Sequence, residues 1–367
     1  MTFSALLEKK GITDAYIYIG AISGTSVDKL VDFSAAVFSD EGKLLHHQNT
    51  TVKLPDDTRQ VLYHLSTTNC DHLTVQERRE GETRITDFLI HAFLSVIQHW
   101  GLDSYPKEKI ILSPHGQTIE HKPELKSTDQ LVHGERIAEE TGYRVVFRHR
   151  HACIGNSNAA PLAPLLLDNL FSNAVLVNGG GVANICILEE GKEVIAFDSG
   201  PANGPLDELI RHIIKIDPSS IPDELSSDIL KQGYDVSGQW AKQGKVCHSM
   251  QEKLLAHPYF SNKTRKKSAD RSQFNLDWVL AAKGNTDWTD SITTLSHVIA
   301  TTLSHAITDH FFGKELRIGF YGGLLYNNYI IDNILSQLHS FSISRIDWKK
   351  ESLVPDFIES LLMAYLG

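Results

Sequence analysis

Three short stretches of the chain set glycine beside small polar residues at the ends of apolar runs: SGTSVD at 23–28, NGGGVAN at 178–184 and YGGLLYNN at 321–328. Glycine lets the backbone come close to a ligand, so that successive N–H groups point at one anion, and Ser and Thr hydroxyls add donors without charge. Turns of this kind at strand ends suit phosphate groups. Carboxylates accompany two such stretches, Asp28 in the first and Asp198 in a fourth, FDSGPANGPLDELI at 197–210. A fifth stretch, VVFRHRHACIGNSNAAPL at 145–162, places two Arg and two His consecutively. A basic patch for nucleic acid, a metal site and part of an active site are its three readings.

Composition removes the first of these. The 367 residues carry 45 acidic and 35 basic side chains, a formal net charge of −10. Such a molecule repels phosphate backbones, so any anion site must be built locally and nucleic acid is not expected as a partner. The metal reading of His115, His121, His149 and His151 fails on spacing, because no H-x-x-x-H or C-x-x-C element accompanies them. Cys70, Cys153, Cys186 and Cys247 are far apart, as in a reduced cytosolic protein, and are expected as free thiols. The start, MTFSALLEKKGITD, has early charges and no long apolar core, so neither a signal peptide nor a membrane anchor is expected and the cytoplasm is the expected compartment.

The elements that must hold these stretches can be read from hydrophobic pattern. Ala15–Ile22 and Leu30–Phe38 read as two strands around SGTS, residues 58–100 as helical, Lys109–Leu112 as a short buried strand running into HGQT, and 128–142 as helical toward its end. A second strand-rich block starts at Ala174 and ends at Asp198. Helical periodicity follows from Pro205 and again over 288–312, and a strand at Arg317–Tyr321 meets Gly322 and Gly323. Strand, glycine turn and returning strand thus occur twice, which suggests two related α/β lobes.

The segments ISGTSVD, SPHGQTIEHKP, NGGGVANI, FDSGPANGPLDELI, GYDVSGQWAKQG, HPYF, KSADRSQFNLDW and YGGLLYNN stand in the order and spacing of anhydro-N-acetylmuramic acid kinases, and the resemblance runs over residues 16–367. It implies an α/β fold of two actin-like, ribonuclease H-like lobes with a nucleotide cleft between them. The lobe boundaries expected are 1–135 and 136–354, with the C-terminal helix 355–367 packing on the first. It implies ATP and Mg2+ as cofactors and a small anhydrosugar as substrate, opened by water and phosphorylated on its released O6. No membrane is implied as a partner, and a homodimer is left open.

Position by position, the resemblance assigns Gly24, Thr25, Ser26 and Asp28 to a phosphate hairpin, and Asn178, Gly180, Gly181 and Asn184 to a second phosphate turn. Asp198 and Gly200 match the family's FDTGPGN, and Gly322, Gly323 and Asn327 its adenosine turn. Asp28 and Asp198 become the magnesium ligands, directly or through water. His115, Gln117 and Arg148 become substrate-binding residues.

The chain departs from the family at three places. Lys29 replaces a glycine after the hairpin, and Leu324 replaces the third glycine of the adenosine turn, where it is expected to narrow the space for base or ribose. The family's FRxxD carries a general-base aspartate that activates water; aligned from Phe147 and Arg148, His151 stands at that position, and aligned back from Ala160-Pro161-Leu162, Ala152 or its neighbour does, so no carboxylate holds it. A neutral imidazole can take a proton from water. Two readings stay open: an active kinase with His151 or an acid from elsewhere as the base, or a protein without turnover that keeps nucleotide or sugar binding as a sensor or partner-binding protein.

Overall fold

The structure, a computed structural model, describes residues 2–24, 27, 29–68, 70–122, 125–153, 162–262, 268, 269 and 271–367, without the side chains of Asp71, His121 and Arg271. The chain divides into two compact units, residues 1–170 with 356–367, and residues 171–355.

The first unit contains β1 (Ile17–Ile22), β2 (Leu30–Phe38), β3 (Leu44–Lys53), β4 (Ile110–Pro114), β5 (Gln117–Lys122), β6 (Ser127–Leu131) and β7 (Arg144–Val145). Five of them form a sheet in the order β3-β2-β1-β4-β7, while β5 and β6 form a separate hairpin. The second unit contains β8 (Ala174–Gly179), β9 (Val182–Leu188), β10 (Ile195–Pro201), β11 (Glu315–Tyr321) and β12 (Ser342–Arg345), in the order β10-β9-β8-β11-β12.

The two sheets are wired alike. In each, three consecutive strands run antiparallel, and the first of the three pairs in parallel with a later strand reached through helices. A fifth strand then adds in parallel at that edge. This is the ribonuclease H-like arrangement of an actin-like lobe, present once in each unit.

Burial explains the wiring. The run AVLV in β8 is buried throughout, as a central strand covered on both faces must be. The helix Trp288–His310 is buried along nearly its whole length within the second unit's core. In the first unit the helix Val75–His99 begins at a capping box, with Thr74 and Glu77 satisfying each other's backbone N–H groups, which separates it from the helix Asp56–Thr67. No described helix is long and apolar enough to cross a membrane, and all four cysteines are free.

The division between units falls after Leu170, not after residue 135. The reason is β7, which pairs in parallel with β4 (Leu112 with Val145) and so completes the first sheet after the helix Gly134–Thr141. The helix Ile358–Leu366 lies on β1, β2 and β4. Ser360 Oγ there meets Ser34 Oγ of β2 at 2.6 Å.

Candidate functional site

In an open sheet with parallel neighbours, a ligand crevice forms at the carboxyl ends of two adjacent strands whose chains leave in opposite directions. Each unit has one such place. In the first, β1 and β4 end side by side, with Ala21 opposite Pro114. In the second, β8 and β11 end with Asn178 opposite Tyr321. The glycine turns and the HGQT segment start at these ends.

In the second unit, three turns that are far apart in sequence meet. Asn203 N donates to Gly180 O at 3.0 Å and Ala202 N to Gly181 O at 3.3 Å, which seats the β8–β9 turn on the start of the helix Asn203–Ile216. Gly322, at φ 69°, brings in the third turn: a methyl group on it would lie 2.3 Å from Asn178 Oδ1, and one on Gly323 would lie 2.9 Å from Asn203 Nδ2. Only glycine permits that approach at that φ. The helix 203–216 has no side-chain cap at its N-terminus; Asn203 N–H is given to Gly180 O and Pro205 has none, so the Gly204 N–H, at the positive dipole end, is the group of its first turn suited to an anion.

Asp198 stands beside this turn cluster. A β-bulge between Asp198 and Gly200 lets the end of β10 bend toward the helix. Its carboxylate is buried and accepts from Ala269 N at 2.9 Å and Ser268 Oγ at 3.0 Å, while Tyr259 donates its hydroxyl to Asp198 O at 2.6 Å. Phe260 and Phe274 stack beneath at 5.6 Å between ring centroids, and Phe260 reaches Gly200. The aromatic HPYF segment therefore holds the backbone at Asp198 and Gly200.

The first unit places a polar cluster at its own crevice. His115 N donates to Ala21 O at 2.9 Å, tying the residues after β4 to β1. His115 Nδ1 donates to Gly116 O at 3.0 Å, and Arg150 Nε donates to His115 Nε2 at 3.1 Å. That pair of contacts requires the neutral imidazole with its proton on Nδ1. Gln130 Nε2 donates to His115 O at 3.0 Å, Ser23 Oγ donates to Gln117 Oε1 at 2.8 Å, and Ser113 Oγ and His149 Nε2 share a hydrogen bond of 3.0 Å. His115, Gln117, Gln130 and His149 are all buried.

Burial, then the adjacent Arg150 guanidinium, pushes His115 down to about 3. Burial alone pushes His149 down to about 4. Both histidines are thus neutral in the folded protein, whereas in the unfolded chain they titrate near ~6.5. Between those values the unfolded state binds more protons, so stability must fall as pH drops below about 6.5, by up to about 1.4 kcal/mol per pH unit for each histidine. Urea midpoints between pH 7.5 and 5 should show this slope, and His115→Gln/His149→Gln should flatten it. Equal slopes in the two proteins would mean that other groups govern acid lability.

The expected site residues therefore fall into two sets. Asn178, Gly180, Gly181, Asp198, Gly200, Gly322 and Gly323 gather in the second unit, with Asn184 opposite Asn178 on β9. His115 and Gln117 gather in the first, with Gly24 after β1. Thr25, Ser26 and Asp28 lie outside the described residues. Asn327 caps the helix Asn328–Gln337, its Oδ1 accepting from Ile330 N at 3.1 Å. Leu324 does not narrow a ligand space as its sequence position suggests: it is fully buried in the core, packed under Gly179. Lys29 is exposed.

Two residues of the Arg/His run stand apart from the polar cluster. Arg148 is exposed at φ 64°, with its guanidinium 5.2 Å from the centroid of the Phe147 ring. His151 is exposed on the short helix His149–Cys153. The residues of that run that face the cluster are His149 and Arg150, neither of which the family pattern singles out. Ser23 and Ser113 open the segments SGTSVD and SPHGQTIEHKP but received no role of their own there, and Gln130 lies in no motif.

Comparison with known proteins fits two anion-ready crevices in a duplicated lobe. The family model for anhydro-N-acetylmuramic acid kinase matches residues 16–367. Among curated relatives, the anhydro-N-acetylmuramic acid kinase of Acinetobacter baylyi is 30% identical over 96% of this chain and 92% of its own. That of Hahella chejuensis is 29% identical over 96% and 92%, and that of Vibrio vulnificus strain YJ016 is 28% identical over 96% and 90%. With the match spanning nearly the whole chain, both units included, this protein belongs to the anhydro-N-acetylmuramic acid kinase family and is a phosphotransferase.

Proposed function

We propose that the chain converts 1,6-anhydro-N-acetylmuramic acid, ATP and water to N-acetylmuramic acid 6-phosphate and ADP, as a step in the re-use of cell-wall sugars. The observation that carries this reading is the meeting of three separate turns, 178–181, 200–204 and 322–323, around a helix start without a side-chain cap and a buried carboxylate. Phosphoryl transfer asks a protein mainly for positioning and charge stabilisation, and backbone N–H groups at such turns supply both.

In this reading Gly181 and Gly204 offer their N–H groups to phosphate oxygens, while Gly180, whose own N–H goes to Val182 O, shapes the turn. Gly322 and Gly323 leave room for the nucleoside, and Thr25, Ser26 and Asp28 complete the set. Asp198 fits a magnesium ion: it is a carboxylate fixed by two donors at the edge of the turn cluster. Magnesium typically uses one or two carboxylates together with substrate phosphates and waters, and when bound it neutralises charge on the transferring group. His115 and Gln117 meet the sugar.

The water that attacks the anomeric carbon must lose a proton, and the C1–O6 bond must break with O6 receiving the phosphoryl group. His151, on an exposed helix and in place of a carboxylate, is the side chain we assign to that proton. The same substitution favours the second reading, a protein that binds nucleotide or sugar without turnover, because an imidazole lacks the negative charge that favours an oxocarbenium-like sugar carbon. Release of ADP together with a 6-phosphosugar detected by mass decides between them. We expect product, and a loss of roughly 10²-fold or more in kcat for His151→Ala with ATP binding retained. Absence of product at high enzyme concentration, with ATP still bound, would establish the second reading. Unchanged turnover in the variant would remove His151 from the role.

A further inference from the structure

The segment GYDVSGQWAKQG, 233–244, has no part in the proposed reaction, yet it lines a cavity of about 170 Å³ in the second unit. One wall is the helix Asp223–Gln232, on which Leu225, Asp228 and Ile229 stand three and four residues apart and so share a face. The other is the turn 235–239, which contributes Asp235, Val236 and Gln239. That turn is firmly held. The buried Asp235 carboxylate accepts from Trp240 N at 2.7 Å and Ala241 N at 2.9 Å, which closes the loop over Ser237. Ser237 is kept at φ 59°, a left-handed conformation that residues other than glycine adopt rarely and that persists where the surroundings over-determine it, as at ligand clamps. Gly238, at φ 70°, presses the turn against the start of the helix Asn328–Gln337: a methyl group on it would lie 2.5 Å from both Asn327 Oδ1 and Tyr329 Cβ. The cavity thus adjoins the stretch that follows Gly322 and Gly323, where the kinase reading puts the nucleoside.

At about 170 Å³ the cavity is smaller than the roughly 300–1,000 Å³ that drug-sized ligands occupy, so it suits one ring system and not a whole nucleotide. Its apolar lining, Leu225, Ile229 and Val236, fits the faces of a flat ring, and the exposed residues Asp228 and Gln239 supply polar groups for the ring's edge. We infer that this cavity takes the base of the nucleotide and that Asp228 selects a 6-amino purine over a 6-oxo purine. This rests on the proposed kinase reading. Adenine shows N6–H, a donor, beside N1, an acceptor; hypoxanthine shows O6, an acceptor, beside N1–H, a donor. A carboxylate only accepts, whereas an amide both donates and accepts. Asp228 on N6–H with Gln239 Nε2–H on N1 matches adenine, and the same placement sets O6 of a 6-oxo base against a negative charge. A site built to pair one polar edge rejects the edge that leaves its groups unpaired.

The test compares ATP with inosine triphosphate, which differs only at the base edge, as phosphoryl donors to 1,6-anhydro-N-acetylmuramic acid. Wild type, Asp228→Asn, Asp228→Ala and Asp223→Asn are assayed with each, and a thermal midpoint is taken for every variant. We expect wild type to prefer ATP by about 10- to 100-fold in kcat/KM, the scale of one hydrogen bond to a charged group. Asp228→Asn should shrink that preference to less than about threefold, losing on ATP and gaining on inosine triphosphate, because an amide can meet either edge. Asp228→Ala should lose on ATP without the gain. Asp223→Asn, on the same helix but outside the cavity lining, should keep the wild-type ratio. A wild type indifferent to the base, or an Asp228→Asn protein with the wild-type ratio, would overturn the inference. If wild type transfers no phosphoryl group, the kinase reading fails on its own terms. Calorimetric titration of both nucleotides into wild type and Asp228→Asn then decides the base site by the same ratio, and binding of neither nucleotide overturns it.

Discussion

Asp198→Asn should retain the fold and lose phosphotransfer by roughly 10²-fold or more, the scale on which removal of one electrostatic contact to a transferring group is felt. Asparagine is the informative replacement because the site separates two jobs of one carboxylate. Oδ2 of Asp198 accepts from Ala269 N and Ser268 Oγ, and an amide oxygen at the same position can accept from both. The latch to residues 268–269 therefore survives while the negative charge disappears. A magnesium ion held at Asp198 would feel the difference, since a neutral amide is a much weaker ligand than a carboxylate for a hard dication. Ser268→Ala is the converse change: one donor is lost, the charge stays, and turnover should fall less than about tenfold. Steady-state rates across a magnesium titration, read with thermal midpoints, test the pair. An Asp198→Asn protein within about threefold of wild type at every magnesium concentration would leave Asp198 as a structural anchor of the 268–269 segment and nothing more.

Gly20→Ala is expected to be the most damaging single-methyl change in the first unit. A methyl group there would sit 2.1 Å from Ser360 O and 2.2 Å from Ala364 N. Both atoms are backbone of the helix 358–366, so no side-chain rotation relieves the clash. The helix must lift from β1, exposing Leu361, Leu362 and Met363 and breaking the Ser34–Ser360 contact. We expect a cost of about 3 kcal/mol or more, at the upper end for overpacking a core. Gly191→Ala provides the comparison. Gly191 has φ 74° but nothing within 4 Å of an added methyl, so it isolates backbone strain from steric overlap, at about 1 kcal/mol. Urea midpoints of the two variants should differ clearly, and the Gly20 variant should lose its C-terminal helix first under limited proteolysis. Similar midpoints would show that the helix is seated too loosely to oppose the change.

The glycine turns were legible in the sequence because their chemistry is local. A run such as AVLVNGGGVANICIL announces two buried strands and the turn between them, and β8 and β9 follow it closely. Strand β2 coincides with the expected Leu30–Phe38. Strand β3, LLHHQNTTVK, was invisible for the opposite reason: it is a polar edge strand that exists because β2 offers it a ladder, not because its own side chains demand burial. The same holds for β7, whose two residues are a strand only by pairing with β4, and missing it misplaced the boundary between units. Helix 203–216 starts two residues before Pro205, since its start is fixed by contacts with Gly180 and Gly181 and not by a side-chain cap.

In the candidate site, where the glycine turns fall was legible in the sequence, and which way the side chains of the Arg/His run point was not. Spacing alone matches Arg148 to the family's arginine. The left-handed backbone at Arg148 turns that residue out over Phe147, and the helix that follows turns Arg150 toward His115. Asn327 shows the same limit, since a motif position turned out to hold a helix cap.

The helix 358–366 also bears on how the protein comes into being. Residues 1–170 emerge first from a ribosome, with β1, β2 and β4 already able to pair, yet the segment that covers Gly20 and Ser34 is translated only after the whole of 171–355. For that interval one face of the first sheet waits uncovered, while the second unit, whose residues are contiguous, can fold as it is made. The unit begun first is completed last, so a cell making this protein must keep an unfinished sheet from sticking to its neighbours for the time it takes to synthesise nearly two hundred residues.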